Sequence, residues 1–304
     1  MAQKFIMLIG ISGSGKSTYG EKYAREIENC VIVSSDKIRE ELFGDEAIQG
    51  DNTKIFAIAN ERIFKTIKSG KTVVFDATNI NGKHRRALLK DIKRHYNITT
   101  IACVIATPYE KCLERNAGRN RKVPEEVIKR QMMQFSMPIY DEGWNEIEIV
   151  YPQYDATAHS RLLKEMQIPQ DNPHHTLSVY EHCDKAAFLA QQNHEKLEVT
   201  TALMWHDCGK PFCKRFTNAK GQPTKEAHYY NHERVSAYMF LTMVGPNIQP
   251  FSTEQIIYIT KLIEMHMVLY ANKTDEQVEK LIRQHGNNII LDLFTINRYD
   301  KAAK

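Results

Sequence analysis

Phe5-Ile6-Met7-Leu8-Ile9-Gly10-Ile11-Ser12-Gly13-Ser14-Gly15-Lys16-Ser17-Thr18 decides the fold of the first half of the chain. Five consecutive apolar residues ending at a glycine read as a buried parallel strand. Gly10 to Ser17 then fits G-x-x-x-x-G-K-[ST] at every position, and 18–28 reads as a helix. Glycines let the backbone curl so that successive N–H groups converge on phosphate oxygens, and the helix N-terminus adds partial positive charge. In that arrangement Lys16 reaches the β and γ phosphates and Ser17 ligates Mg2+. The motif predicts a site for ATP, or another NTP, with Mg2+. Its contacts would be Gly10, Ser12, Gly13, Ser14, Gly15, Lys16, Ser17 and Thr18. It is silent on the acceptor.

Outward from this stretch, strands are expected at 31–33, 71–75, 100–106 and 146–150. Helices are expected at 52–68, 83–96, 108–116 and 124–134. Strands alternating with helices imply a parallel α/β sheet flanked by helices. The pattern changes after Val150. Residues 151–172 carry Pro152 and Pro169 and read as a connector with one short helix. From Pro173 onward only helices are expected. The predicted organisation is an α/β domain over 1–150, a connector over 151–172 and an all-α domain over 173–304.

An acceptor site needs a base and groups that stabilise charge. In doubly wound sheets, ligands sit at the carboxyl ends of strands. Asp36, just after the second strand, can take a proton from an attacking hydroxyl or cap the helix beginning at Lys37. Asp76 ends the third strand and can hold Mg2+ through water, orient the acceptor, or cap a helix. Arg115, Arg119 and Arg121 surround Gly118 ahead of Pro124, which suits a lid over a triphosphate. The alternative is a solvated basic face.

With those residues in view, 1–150 resembles the phage-type polynucleotide 5′-kinases. The resemblance lies in the P-loop, the Asp36/Arg39 segment, Asp76-Ala77-Thr78-Asn79 with Arg85-Arg86 after it, and the Arg115/Arg119 lid. It implies that Asp36 is the general base for a 5′-hydroxyl and that Arg39 contacts the acceptor phosphate. It also implies that Arg119 stabilises the transferring phosphoryl group. Asp76, Asn79, Arg85 and Arg86 would lie on the acceptor side. Lys83, Arg85, Arg86, Lys90, Lys93 and Arg94 make a basic helix that can track a phosphodiester backbone or simply face water.

Composition separates the halves further. The 304 residues carry 41 Lys+Arg against 37 Asp+Glu, a net of +4. All of that excess lies before residue 151, whereas ten of the 12 histidines lie after it. No apolar stretch approaches the ~20 residues of a membrane-spanning helix, and the start does not read as a signal peptide. The six scattered cysteines form no CxxC pair, which fits free thiols in a reducing cytoplasm.

The histidines have a pattern. His206-Asp207 follows an apolar helical run, and His182, His232, His266 and Asp300 fall in separate expected helices. Helices of a bundle can aim single side chains at one centre, and imidazole with carboxylate suits Mn2+, Co2+, Ni2+ or Zn2+. His228 is an alternative to His232. This half resembles the HD phosphohydrolase superfamily, with the nearest local match in HD domains attached to bacterial tRNA nucleotidyltransferases. The resemblance rests on Asn172 to His182, His206-Asp207-Cys208-Gly209-Lys210-Pro211, Asn231-His232-Glu233 and Arg298-Tyr299-Asp300. It implies that His182, His206, Asp207 and Asp300 hold one metal. His232 and His266, with Asp207 bridging, would hold a second, and Lys210 would bind substrate phosphate. His174, His175, His194 and His285 are read as structural, with His174 or His175 near the substrate.

The two resemblances together imply a bifunctional nucleic-acid end-healing enzyme acting on RNA or DNA ends and cooperating with a ligase. It would phosphorylate 5′-hydroxyls and remove 3′-, 2′- or 2′,3′-cyclic phosphates with metal-activated water. A metabolite kinase fused to a nucleotidase and a nucleotide-sensing regulator without chemistry are the rival readings.

Overall fold

The computed structural model of the chain describes residues 3–44, 50–119, 122–152, 155–173, 176–247 and 251–304. Two compact units emerge, 1–131 with 138–153, and 132–137 with 154–304.

The first unit is built on β1 (Lys4–Ile9), β2 (Cys30–Ser34), β3 (Thr72–Asp76), β4 (Thr99–Ile105) and β5 (Glu146–Val150). They form one parallel sheet in the order β2-β3-β1-β4-β5. β1 is central, with Leu8 opposite Asp76 of β3 and Cys103 of β4. Strands flank both of its edges and helices cover both faces of the sheet, which is why its sequence is continuously apolar rather than alternating. Ile6, Leu8, Val74, Ile101, Cys103 and Ile105 make the core of the sheet.

The flanking helices are α1 (Lys16–Glu26), α2 (Ser35–Phe43), α3 (Asn52–Lys68), α4 (Gly82–His95), α5 (Tyr109–Ala117) and α6 (Glu125–Met133). α3 buries Ile55, Ala59, Ile63 and Ile67, a four-residue spacing that keeps one stripe on the core. Its N-cap is Asp51, whose side chain accepts from Thr53 N. α2 starts earlier than expected because Ser34 caps it, accepting from Lys37 N at 3.4 Å. Asp36 therefore lies in the first turn and is not a cap. Asp76 is not one either: it ends β3, and α4 is capped by Asn81, which accepts from Lys83 N and His84 N.

The second unit holds α7 (Ala158–Glu165), α8 (Val179–Gln192), α9 (Leu197–Trp205), α10 (Lys210–Cys213), α11 (His232–Met239), α12 (Thr253–Met265), α13 (Asp275–His285) and α14 (Asn287–Ala302). It is not all-α. β6 (Arg215–Thr217) and β7 (Pro223–His228) form an antiparallel hairpin. Most hairpin residues are exposed, so the strands lack the apolar alternation that would have announced them. Gly221, at φ +79°, turns its tip.

Met132–Met137 also packs in this unit. Phe135 lies edge-to-face on Tyr238 at 5.2 Å, and Glu264 accepts from Met137 N at 2.8 Å. Lys261 donates to Glu264 at 3.0 Å and Ser136 at 3.3 Å. None of the six cysteines forms a disulfide. No helix among the described residues is long and apolar enough to cross a membrane.

One ion pair locks α4 to the end of the first unit. Arg85 is 1% exposed and donates through Nε and Nη2 to both oxygens of Glu142, at 3.0 and 2.7 Å. Trp144 Nε1 donates to the same carboxylate at 3.1 Å. Removing one partner strands a buried charge. Arg85→Met is expected to lower the unfolding free energy of this unit by about 3–5 kcal/mol in urea melts, and Arg85→Met/Glu142→Leu to recover part of that loss.

Candidate functional site

The first unit presents its glycine-rich loop between β1 and α1. Gly13 (φ +84°) and Gly15 (φ +98°) take left-handed conformations that L side chains resist. A Cβ on Gly13 would lie 2.2 Å from the Cys112 carbonyl oxygen, so α5 also demands glycine there. Gly10 N donates to Thr78 O at 3.0 Å, and Thr107 Oγ1 donates to Ser14 O at 2.8 Å. These bonds fix the loop from both neighbouring strands.

Polar groups in the loop bond to the loop itself and to α6. Lys16 Nζ donates to Ile11 O at 2.8 Å, and Ser14 Oγ is buried with no hydrogen-bond partner among the described residues. Ser12 N donates to the Gln131 side-chain oxygen at 2.7 Å. Ser17 and Thr18 are exposed at the start of α1. Burial pushes the Lys16 ammonium below its usual range; the charges of Asp76, Cys112 and Asp36 oppose this, and Arg119 adds to it. Asp36, Asp76 and Arg119 are thus near enough to feel the Lys16 charge. The set fits a polyphosphate with its metal ion: converging amides, a buried cation, a hydroxyl and nearby carboxylates.

Around the loop, Arg39 Nη1 donates to Asp36 Oδ1 at 2.7 Å, and Nη2 donates to Asn52 at 3.0 Å. Its Nε is buried without a hydrogen-bond partner among the described residues. Arg115 Nη1 donates to Ser14 O at 3.0 Å, against the loop itself. Arg119 is exposed, while Arg121 lies outside the described residues.

Two expected acceptor residues are otherwise engaged. Asn79, at φ +49°, donates to Leu8 O at 2.8 Å and braces the end of β1. Arg85 is consumed by Glu142 and by Asn79 O at 3.0 Å, so its guanidinium faces protein and not an acceptor. Arg86 keeps a partly exposed guanidinium 3.7 Å from Glu142.

In the second unit, His182 (α8), His206 (after α9), Asp207, His232 (first residue of α11), His266 (after α12) and Asp300 (α14) are all buried. Three overlapping triads bring their donor atoms within 4.8 Å of one another. Asp207 lies between them. Its Oδ2 is 3.6 Å from His182 Nε2 and 3.4 Å from His206 Nε2. Its Oδ1 is 3.1 Å from His232 Nε2 and 3.7 Å from His266 Nε2. Asp300 Oδ1 completes the first side, 3.0 Å from His182 and 3.6 Å from His206.

Helix ends orient the rings. His206 Nδ1 faces Leu203 O at 2.6 Å, His232 Nδ1 faces Tyr229 O at 2.7 Å, and His266 Nδ1 faces Ile263 O at 2.8 Å. In each case the carbonyl belongs to the residue three earlier. A proton on Nδ1 leaves the Nε2 lone pair pointing inward, as metal ligation requires. Among the described residues His206 Nε2 makes no hydrogen bond, and it faces Asp207 and Asp300 at 3.4 and 3.6 Å. Donor type, tautomer and the division of Asp207 all fit a pair of divalent ions.

Protonation follows the same geometry. Burial disfavours charge on His206, but Asp207, Cys183 and Asp300 beside it hold it well above the usual histidine value. His266 is pushed down to about 3 by burial and by the charges of His206 and His232. Neighbouring rings cannot all be cationic at once. Lys210 Nζ donates to Asp207 Oδ2 at 2.6 Å and to Gln170 Oε1 at 2.8 Å. Tyr270, unanticipated from sequence, donates to Asp300 Oδ2. No spacing rule flags such a residue.

A cleft of about 380 Å3 opens on this cluster, with Asp207, Lys210, His232 and Asp300 among its lining residues. His228 lies in its wall, stacked on Tyr230 at 5.4 Å, so His232 and not His228 joins the donor set. His174 and His175 lie outside the described residues, and neither His194 nor His285 belongs to a triad.

Residues 5–138 match the AAA domain family. Over 154 residues the chain is 31% identical to a protein of Autographa californica nuclear polyhedrosis virus described as a bifunctional polynucleotide kinase/RNA ligase, covering 44% of this chain and 21% of that protein. Over 171 residues it is 26% identical to an L-seryl-tRNA(Sec) kinase of Methanococcus maripaludis, covering 53% and 64%. The chain therefore spans less than two thirds of either relative. Among solved structures, a chain of the Pnkp1/Rnl/Hen1 RNA repair complex aligns with TM-score 0.38 and 23% identity over 44% of each chain. The family match and the folded loop fit a P-loop domain in the first unit.

The Gly13 environment yields a test. Gly13→Ala is expected to lower the thermal midpoint and to abolish the upward shift that ATP with Mg2+ gives the wild type, both read by differential scanning fluorimetry.

Proposed function

We propose that the chain heals broken polynucleotide ends, phosphorylating a 5′-hydroxyl in its first unit and removing a terminal phosphate in its second. The observation that carries the bifunctional reading is the division of Asp207, one carboxylate oxygen toward His182 and His206 and the other toward His232 and His266. A second unit that merely supported a kinase would have no need of six buried, converging ligand-type side chains. The likeness to a polynucleotide kinase/RNA ligase supports the acceptor in the first unit.

In the kinase reaction the acceptor 5′-oxygen forms a bond to the γ-phosphorus as the bond to the β-phosphate oxygen breaks, and ADP leaves. Asp36 takes the hydroxyl proton. Arg39, held against Asp36 and Asn52, keeps that carboxylate oriented and meets the acceptor phosphate. Lys16, Arg115 and Arg119 offset charge on the transferring group. Mg2+ would be held at Ser17.

In the second unit His182, His206, Asp207 and Asp300 would hold one ion, and His232, His266 and Asp207 a second. Mn2+, Co2+, Ni2+ or Zn2+ suits these donors and would supply Lewis acidity and acidify a water toward neutrality. Lys210 moves from Asp207 to the substrate phosphate, and Tyr270 holds Asp300 in place. The products, a 5′-phosphate and a 3′-hydroxyl, are what a ligase consumes.

A second reading has support of its own. The likeness to an L-seryl-tRNA(Sec) kinase would fit an acceptor hydroxyl on a small molecule or an aminoacyl group.

The deciding experiment supplies ATP, Mn2+ and an RNA with a 5′-hydroxyl and a 2′,3′-cyclic phosphate, and reads both ends. Lys16→Ala and Asp36→Ala are each expected to reduce 5′ phosphorylation by about 10²-fold or more with 3′ processing intact. Asp207→Ala is expected to do the reverse. Label reaching a free nucleoside or seryl hydroxyl but no oligonucleotide would overturn the 5′-end assignment. Elemental analysis is expected to find two transition-metal ions per chain, and none in Asp207→Ala.

A further inference from the structure

The β6–β7 hairpin takes no part in the donor set, yet it is inserted between Asp207 and His232 and built rigidly. Its base is pinned by Ala227 N donating to Asp171 O at 2.9 Å and by Lys214 reaching Asp171 Oδ2 at 2.6 Å. Its tip is closed by Asn218, whose side-chain oxygen accepts from Lys220 N at 2.9 Å and Gln222 N at 3.0 Å. A hairpin this well fixed presents a defined surface.

That surface is cationic and aromatic. Arg215, Lys220 and Lys225 are exposed, with no ion-pair partner among the described residues, against a single acid on the hairpin, Glu226. Phe216 is 47% exposed. Where the hairpin returns to the cluster, His228 stacks on Tyr230 with rings 19° apart, and the Arg215 guanidinium lies 4.2 Å over the Tyr230 ring. His228 and Tyr230 line the cleft that Asp207, Lys210, His232 and Asp300 also line. Flat rings beside a phosphate-seeking centre, continued by unpaired cations, match a nucleotide at its base, its terminal phosphate and its following backbone. Stacking is tolerant of base identity, and the cations track phosphates.

We infer that the β6–β7 hairpin is a docking platform for the single-stranded 3′-terminal segment of a polynucleotide, with Tyr230 and His228 receiving the terminal base and Arg215, Lys220 and Lys225 the backbone. The inference rests on reading the histidine cluster as the phosphohydrolase centre. It makes polynucleotide ends, in preference to free mononucleotides, the substrate class of that centre.

The test measures fluorescence anisotropy of a 5′-fluorescein single-stranded oligonucleotide with a 3′-hydroxyl, using the full chain with its metal and without ATP. The blocked 5′ end and the product-like 3′ end leave no reaction to complicate binding. Lys220→Ala/Lys225→Ala is expected to weaken binding and to flatten the slope of log K against log[salt] by about 1.4. Tyr230→Ala is expected to weaken binding between about 5-fold and 150-fold, and Tyr230→Phe to retain it. Thermal midpoint and metal content are expected to stay at wild-type values in all three. Wild-type affinity and salt slope in the double variant and in Tyr230→Ala, or equal binding of a blunt duplex, would overturn the platform. Hairpin-dependent binding without hydrolysis of any terminal phosphate would instead overturn the reading of the cluster, leaving the platform standing.

Discussion

The second unit depends on one carboxylate. Asp207 is buried, and burial alone would favour its neutral form, yet His206, Lys210 and His232 hold it well below the usual carboxylate range. Rings from α8, α9, α11 and α12 converge on its two oxygens. Helix packing brings these elements together, the carbonyls of Leu203, Tyr229 and Ile263 orient three of the rings, and Asp207 lies where their Nε2 atoms point. Breaking that centre leaves Lys210 without its buried carboxylate and His206 with Asp300 alone, and uncompensated buried charge is among the costliest defects a fold can carry.

The first unit follows a different logic. Its loop is a backbone device, held by Thr78 and Thr107 on either side of β1 and requiring glycine where Cys112 presses against it. Side chains then add function at the strand ends. Asp36 follows β2, Asp76 ends β3 and Arg115 descends from α5, so residues up to 101 positions apart meet at one loop. The parallel sheet makes this possible, because every strand delivers its carboxyl end to the same edge.

How much of this could be read beforehand follows from the range of the forces. The phosphate loop is contiguous, so its chemistry and the flanking strand and helix are written in one stretch of 14 residues. α3 and β5 were expected at the bounds where they occur, since each has a clear apolar period and a boundary residue. The six members of the histidine cluster could be named from resemblance, but their distances could not. What sequence concealed were single long-range contacts. Nothing near Arg85 announces that Glu142 will consume it, and nothing near Ser12 announces Gln131. The hairpin was invisible because its strands are short and face water. Choosing between His228 and His232 required knowing where that hairpin ends.

Met132–Met137 carries one more consequence. These residues belong by sequence to the tail of α6 and the approach to β5, yet Met132, Phe135 and Met137 are fully buried in the helical unit. The order of the gene and the order of the fold therefore disagree. A cut at residue 150 would leave the N-terminal fragment carrying a greasy tether and the C-terminal fragment an empty socket, with Lys261 and Glu264 facing into it. Units that look separable on a linear map are, for cloning or for recombination between genes, transferable only as a whole.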